Sequence, residues 1–351
     1  MEIVYYTGRG LPPYLSQHNL SSLQLCLGHF YESRNLFKSI SLQEYTGNTH
    51  SNIFLMIKDT MSKGNPIQGG VKHSEITVSI PKNTKITIQE YMSFAQDTKT
   101  QYVLSFAEEA VIQSGYKRAQ RSAKNAVLAL DECLNYPISG KLLGNVQGGD
   151  DIEARVLCLK EMIKRNIDGV WFGGFYADDH GVANRDIVEA VSEYLIDYKK
   201  IIGLSGPGRP LDIVFAASKG FTHFETFWPF KLAGEGKALS INFENYSLEE
   251  DNIIDREYQE VTIDLNNTDF RFQKGPLVPG CKCMTCTHHH AGYIYHLLTV
   301  QEMTAHTLLA IHNIEIFENL KKFISDLKDQ NKLDQAFSTF VRNFCTSPAE
   351  Y

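Results

Sequence analysis

Residues 281–290 read CKCMTCTHHH, three cysteines and three histidines in ten positions. Clustered thiols of this kind call for a metal, because three exposed thiolates left bare are prone to oxidation. Cys281, Cys283 and Cys286 form C-x-C-x-x-C behind a turn-rich PLVPG lead, which can aim the sulfurs inward on one tight loop. Zinc takes four ligands in a tetrahedron, so three thiolates leave one position for a histidine downstream. On the helical pattern of the tail, Leu309, His312, Ile316, Leu320 and Phe323 fall on one stripe, which points His312 at the core and leaves His306 on its edge. The expected ligand set is therefore Cys281, Cys283, Cys286 and His312, holding one structural Zn2+. His288, His289 and His290 are expected as polar surface. A Cys3His set keeps no coordination position open for water, which argues against a zinc hydrolase and for a metal that clamps a loop to a helix.

The other four cysteines, Cys26, Cys133, Cys158 and Cys345, are scattered and suggest no disulfide framework. They read as small buried hydrophobes. The chain has 351 residues, 43% hydrophobic and 21% charged, with a formal net charge of -7. That is a folded protein with a sizeable core, and as a whole it does not attract nucleic acid; contact with a polyanion must be local or supplied by a partner. The opening MEIVYYTGRGLPPYL lacks the order of a signal peptide, and no run approaches the length of a membrane span. A cytosolic protein is expected.

The middle of the sequence has to position these groups, and it repeats one rhythm. TQYVLSF, KLLGNV, DGVWFGGF, KKIIGLS and THFETFWP read as strands, and helical patterns fill the intervals between them. In the first of those helices Tyr116, Ala119, Ala123, Val127, Leu130 and Leu134 share a face; in the second, over 151–165, Ile152, Val156, Leu159 and Ile163 do, with Asp150, Asp151 and Glu153 at the positive end of its dipole. Strands separated by helices predict parallel pairing with right-handed crossovers, in either an open doubly wound sheet or a closed barrel, between which periodicity does not choose. NIFLMI, SEITVSIP and the helical TIQEYMSFAQ supply further units, and the expected fold is an α/β (β/α)8 barrel of the TIM type over residues 1–238. Residues 239–351 are expected to hold the zinc-binding subdomain and C-terminal helices, after an acidic stretch whose one clear strand is YQEVTIDL.

C-x-C-x-x-C followed 26 positions later by a histidine in IHN resembles the zinc signature of the tRNA-guanine transglycosylases. The resemblance extends to NVQGG (145–149), DGVWFGGF (168–175), KGFTHFETFWPF (219–230) and YIYHLLTVQEMTAHTLLAIHN, about two-thirds of the chain. It implies a barrel with a zinc-bearing insertion near its end. It also implies exchange of a tRNA anticodon guanine for queuine or its precursor, by attack of one aspartate on the ribose C1′ while a second handles protons.

The departures from the family pattern fall in the pocket. Glu225 stands where the nucleophilic aspartate belongs, one methylene longer, and a displacement of about 1 Å can cost on the order of a hundredfold. No Asp-Ser-Gly-Gly-Phe-Gln string supplies the second aspartate, Asp59 being the one aspartate before Asp97; Phe106, Ala107 and Glu108 replace Phe-Asp-Glu; Phe230 and Lys231 replace a Thr-Arg pair. Displacing a base at an anomeric carbon needs two opposed carboxylates, and this sequence offers at best one. No catalytic residue is expected. Gln147, Gly148, Gly149, Gly173 and Gly174, with Ala107 and Glu225, are left as a vestigial pocket, the glycines serving either a bound base or tight strand-to-helix turns. The pattern is similar to the non-catalytic branch of the family. That branch implies a heterodimer with a catalytic queuine tRNA-ribosyltransferase subunit joined around the zinc loop, tRNA held through the complex, a homodimer as the assembly when alone, and a cytoplasmic site or a peripheral one on the mitochondrial outer membrane. The competing expectation is an autonomous transglycosylase with Glu225 as its nucleophile.

Overall fold

The computed structural model describes residues 1–6, 20–57, 68–70, 75–79, 83–110, 115–175, 185–206, 208–241, 243 and 262–344. Eight parallel strands close into a barrel: β1 (Glu2–Tyr6), β2 (Ser22–Cys26), β3 (Asn52–Met56), β4 (Tyr102–Leu104), β5 (Lys141–Val146), β6 (Gly169–Phe172), β7 (Ile201–Leu204) and β8 (His223–Thr226). Each strand pairs with its sequence neighbours, and closure comes from β1 against β8, with Val4 opposite Glu225. The order is the one expected of successive right-handed crossovers.

The five strands expected from residue 100 onward are all present. Of the N-terminal readings, NIFLMI is β3, but SEITVSIP is not a barrel stave: Glu75–Ser79 pairs antiparallel with Gln68–Gly70 and Asn83–Thr87 in a separate three-stranded sheet. The barrel takes EIVYY and SLQLC instead. Both are buried along nearly their whole length, and a strand buried on both faces shows no polar alternation to read. Inside the barrel, Val4, Phe54, Met56, Leu104, Leu143 and Trp171 from five strands form one cluster. Phe54 stacks on Tyr102 at 4.2 Å and tilts against Trp171 at 5.4 Å. Trp171 satisfies its indole N–H on Ser205 Oγ at 2.8 Å.

Around the strands lie α1 (Ile88–Thr98), α2 (Tyr116–Cys133), α3 (Ile152–Met162) and α4 (Arg185–Ser192). Thr87 and Glu90 close a reciprocal capping box at the start of α1. In α2, Ala119, Ala123 and Leu130 are buried as expected, while Tyr116 and Leu134 are exposed. In α3 the expected face is rotated: Ala154, Arg155, Cys158, Leu159 and Met162 are buried, and Ile152 is exposed. An arginine facing inward misphases any apolar pattern. Asp151 caps this helix by accepting from Ala154 N at 3.0 Å.

The chain divides into two compact units. One holds Glu2–Gly208 and Lys219–Phe227; the other holds Arg209–Ser218 and the chain from Trp228. The second unit contains α5 (Pro210–Ser218), α6 (Trp228–Gly234), the antiparallel pair β9 (Lys237–Leu239) and β10 (Thr262–Asp264), and then α7 (Met284–His288), α8 (Ala291–Thr299), α9 (Met303–Asp329) and α10 (Leu333–Phe344). Its core gathers Ala233, Ala238, Leu265, Ile294, Ala305 and Leu309. Of the expected strand YQEVTIDL, the described part is β10, and most of the acidic stretch before it lies outside the described residues, as do Asp59 and Cys345. Cys26, Cys133 and Cys158 are buried and form no disulfide among the described residues. Burial pushes the thiol of Cys133 up to about 12 and that of Cys158 up to about 11, which keeps both protonated and unreactive.

Candidate metal centre and barrel mouth

The loop before α7 turns at Gly280, and Cys281 N then bonds Val278 O at 3.2 Å. Cys283 caps α7 with its own sulfur, accepting from Cys286 N at 3.3 Å. One short helical turn therefore carries Cys283 and Cys286 on the side facing Cys281. Thr285, buried between them, donates its hydroxyl to Leu308 O at 2.7 Å and ties α7 to α9.

His312 enters from α9, fully buried. Its Nδ1 lies 3.6 Å from Cys281 Sγ, 3.5 Å from Cys283 Sγ and 3.4 Å from Cys286 Sγ. All four ligand atoms sit within 4.8 Å of one another. A tetrahedral ion with Zn–S near 2.3 Å and Zn–N near 2.0 Å requires an S···N edge of roughly 3.5 Å, so the four residues fit a thiolate-imidazole site and can hold a metal. The far side of the ring settles the tautomer: His312 Nε2 is 2.9 Å from Leu239 O, which can only accept, so Nε2 carries the hydrogen and the Nδ1 lone pair faces the sulfurs. A proton competes with a metal for that lone pair. Burial disfavours the imidazolium, yet hydrogen bonds to Cys281 and Cys286 and their negative charge raise His312 to about 9. Hydrogen bonds from Cys281 and Cys283 hold the Cys286 thiol far below its ordinary range, while those with Cys281 and Cys286 push Cys283 up. The cluster gathers negative charge that a dication would satisfy on all three sulfurs.

The other histidines match their expected places. His288 and His290 are exposed, His289 stacks on Tyr293 at 5.4 Å, and exposed His306 bonds Ala233 O at 2.8 Å. Sequence reasoning left out Asn313, which is also fully buried. Its Oδ1 accepts from Leu239 N at 2.8 Å and its Nδ2 donates to Pro229 O at 3.1 Å and Lys237 O at 3.2 Å. The available signal was the IHN string, where a polar residue follows the ligand on an otherwise apolar stripe.

At the carboxyl ends of the barrel strands the expected pocket residues are present but turned to other work. Glu225 is the penultimate residue of β8 and 1% exposed. Ala107, beyond β4, is a buried methyl. Glu108 beside it is buried with its carboxylate on Arg121 Nη2 at 2.8 Å and Asn125 Nδ2 at 3.1 Å, both on α2. Gln147, after β5, is fully buried and donates to Asn145 Oδ1 at 2.8 Å.

The glycines answer to Arg155, which sequence reasoning missed. Fully buried, it donates Nε to Gly149 O at 2.6 Å and Nη1 to Gly173 O at 3.0 Å and Val146 O at 3.5 Å, and its guanidinium lies 4.3 Å from the Phe175 ring centre. Burial lowers its pKa to about 10. At Gly148, φ +149°, a Cβ would come within 2.7 Å of the Arg155 side chain; at Gly174, φ +80°, it would come within 2.6 Å of Ala110 O. Arg155 Nη2 and Gln147 Oε1 are each 3.3 Å from that second position, and neither has a hydrogen-bond partner among the described residues. Of the Thr-Arg replacements, Phe230 packs on the core of the second unit and Lys231 lies 4.6 Å over the Trp228 ring.

A barrel of this topology, with a Cys3His cluster after its last strand, agrees with the sequence signature, and comparison with known proteins decides the matter. The profile of the family described as Queuine tRNA-ribosyltransferase matches residues 29–347. The chain belongs to that family. It is similar to the queuine tRNA-ribosyltransferase accessory subunit 2 of Pongo abelii, 25% identical over 374 aligned positions covering 94% of this chain and 89% of the relative, and to that of Homo sapiens at 24% with the same coverage. It is also similar to the queuine tRNA-ribosyltransferase of Methylacidiphilum infernorum, 31% identical over 186 positions that cover 53% of this chain and 44% of the relative. Among the described residues no helix is long and apolar enough to cross a membrane.

Proposed function

We propose that this chain is the non-catalytic subunit of a heterodimeric queuine tRNA-ribosyltransferase, supporting exchange of guanine for queuine at the anticodon wobble position by a catalytic partner. The observation that carries the reading is the state of the acids at the barrel mouth. Position 107 is a methyl group, and the neighbouring carboxylate of Glu108 is held by Arg121 and Asn125. Without a second carboxylate opposite the first, base displacement at an anomeric carbon lacks its proton handling. Gln147 Oε1 and Arg155 Nη2, one acceptor and one donor, are the polar remainder of a pocket in which Ala107, Gly148, Gly149, Gly173, Gly174 and Glu225 have a structural role. Resemblance to accessory subunits in Pongo abelii and Homo sapiens supports the same division of labour.

Cys281, Cys283, Cys286 and His312 hold one Zn2+, chosen over other divalent ions by the thiolate-rich tetrahedral set. The ion braces the loop against α9. The 239–351 segment is the part that meets the partner: Phe272 and Met303, 81% and 82% exposed, and the exposed Met284, Tyr293 and Val300 all lie on elements packed about that loop. A net charge of -7 leaves most of the attraction for tRNA to the partner. The protein works in the cytoplasm or peripherally at the mitochondrial outer membrane.

The test is incorporation of labelled queuine or guanine into tRNA. The chain alone gives none, and mixing it with the catalytic subunit restores exchange; turnover by the isolated chain refutes the reading. Glu225 at the end of β8 favours the second reading, an autonomous enzyme with Glu225 as nucleophile. Denaturing gels of the chain incubated with tRNA separate the two: a covalent adduct lost in Glu225→Gln establishes the nucleophile, and its absence leaves the accessory role.

A further inference from the structure

Neighbouring residues of one helix take hold of both polar groups of a single residue on another element. His312 Nε2–H donates to the carbonyl of Leu239, and Asn313 Oδ1 accepts from the amide of the same residue. Asn313 Nδ2 adds two more bonds, to Lys237 O two residues earlier on β9 and to Pro229 O on α6. Leu239 and Asn313 are both fully buried. The residue whose carbonyl orients the His312 ring is therefore held through its amide by the residue that follows His312.

We infer that Asn313 is a positioning residue of the metal centre, acting through Leu239 and in place before any ion arrives. Its amide commits both Nδ2 hydrogens and one Oδ1 lone pair to three backbone groups, so the backbone leading into Leu239 cannot shift without breaking buried bonds, each of which is costly to leave unmade. A fixed carbonyl holds the imidazole in one tautomer with Nδ1 toward the sulfurs. Partners one step outside the ligands typically tune metal affinity ten- to a hundredfold; Asn313 acts one step further out, and about tenfold is expected. The inference rests on the metal reading above but adds a residue that touches no ion.

The experiment measures zinc affinity by competition with a chromophoric chelator, and ligand-field geometry from the visible spectrum of the Co2+-substituted chain. Asn313→Ala is compared with His306→Ala, which loses a hydrogen bond from the same helix that does not run through Leu239. Expected is a roughly tenfold loss in affinity with an altered Co2+ spectrum for Asn313→Ala, and no change beyond about twofold for His306→Ala. Equal losses in both variants, or none in either, overturn the inference. Wild-type protein that binds no zinc overturns the metal reading instead, which keeps the two failures apart. Should Asn313→Ala not fold, amide hydrogen exchange of Leu239 in wild-type protein stripped of metal decides: continued protection supports prior positioning by Asn313, and free exchange at Leu239 overturns it.

Discussion

At the Cys3His loop four side chains from two stretches of sequence 26 residues apart aim their donor atoms at one point, with S···N edges of 3.4–3.6 Å. At the barrel mouth the side chains with chemical capacity aim at neighbouring protein groups instead: Arg155 at three carbonyls, Glu108 at the side chains of Arg121 and Asn125, Gln147 at the side chain of Asn145. The difference is one of target. A set of side chains able to hold an ion converges, whereas the polar groups at this mouth are spent on neighbouring protein groups and act as packing. The same glycines that bring a backbone close to a base also make room for a guanidinium, so glycine runs alone do not separate an active pocket from a filled one.

The largest effect that can break this contrast is at the metal. Cys283→Ser or His312→Ala should bring metal content well below one per chain, remove more than about 5 kcal/mol of metal-linked stability, and loosen α9. Mass spectrometry under native conditions and thermal unfolding with and without chelator read both. Unchanged stoichiometry in both variants would assign the ion to other ligands.

At the mouth, Arg155→Ala should cost about 3–5 kcal/mol, because it removes the donor that Gly149 O and Gly173 O share and opens a cavity, while Val146 O keeps the amide of Gly173. Gly174→Ala should cost less, about 1–3 kcal/mol, from its left-handed backbone and the approach to Ala110 O. Urea unfolding gives both values. If Arg155→Ala were as stable as wild type and gained affinity for purine bases, the guanidinium would be a plug rather than a pillar.

The smallest effect lies on the barrel's outer surface, where Arg165 holds the Asp131 carboxylate below its usual range by a hydrogen bond and charge. A depressed folded pKa means stability that is present above the unfolded carboxylate value near 3.9 and is lost as pH falls through the folded one. Both partners are partly exposed, so Asp131→Asn should cost under about 1 kcal/mol at neutral pH. Wild type and variant should converge in acid, which urea titrations at a series of pH values would check.

Much of this was legible in residue order. The strand-helix rhythm from residue 100 onward specified parallel strands with helical crossovers, though not their closure into a barrel rather than an open sheet, and an inward histidine beside three cysteines specified the cluster, because both signals are periodic or local. What stayed hidden depends on contacts distant in sequence. EIVYY and SLQLC carry no alternation when buried on both faces. SEITVSIP has the composition of a strand in either a barrel or a side sheet. Arg155 looked like an outward residue of α3, since nothing in its neighbourhood announces three waiting carbonyls, and the grip of Asn313 on Leu239 spans 74 positions.

Past that grip the chain is moored again at Phe243, buried against Phe323 and Phe340, and the described chain resumes at Thr262, the cross-strand partner of Leu239. Whatever length of chain joins two such neighbours adds little beyond closure entropy, about 0.6 kcal/mol for each doubling. An engineered tag placed there should therefore leave the metal affinity of the Cys3His cluster unchanged.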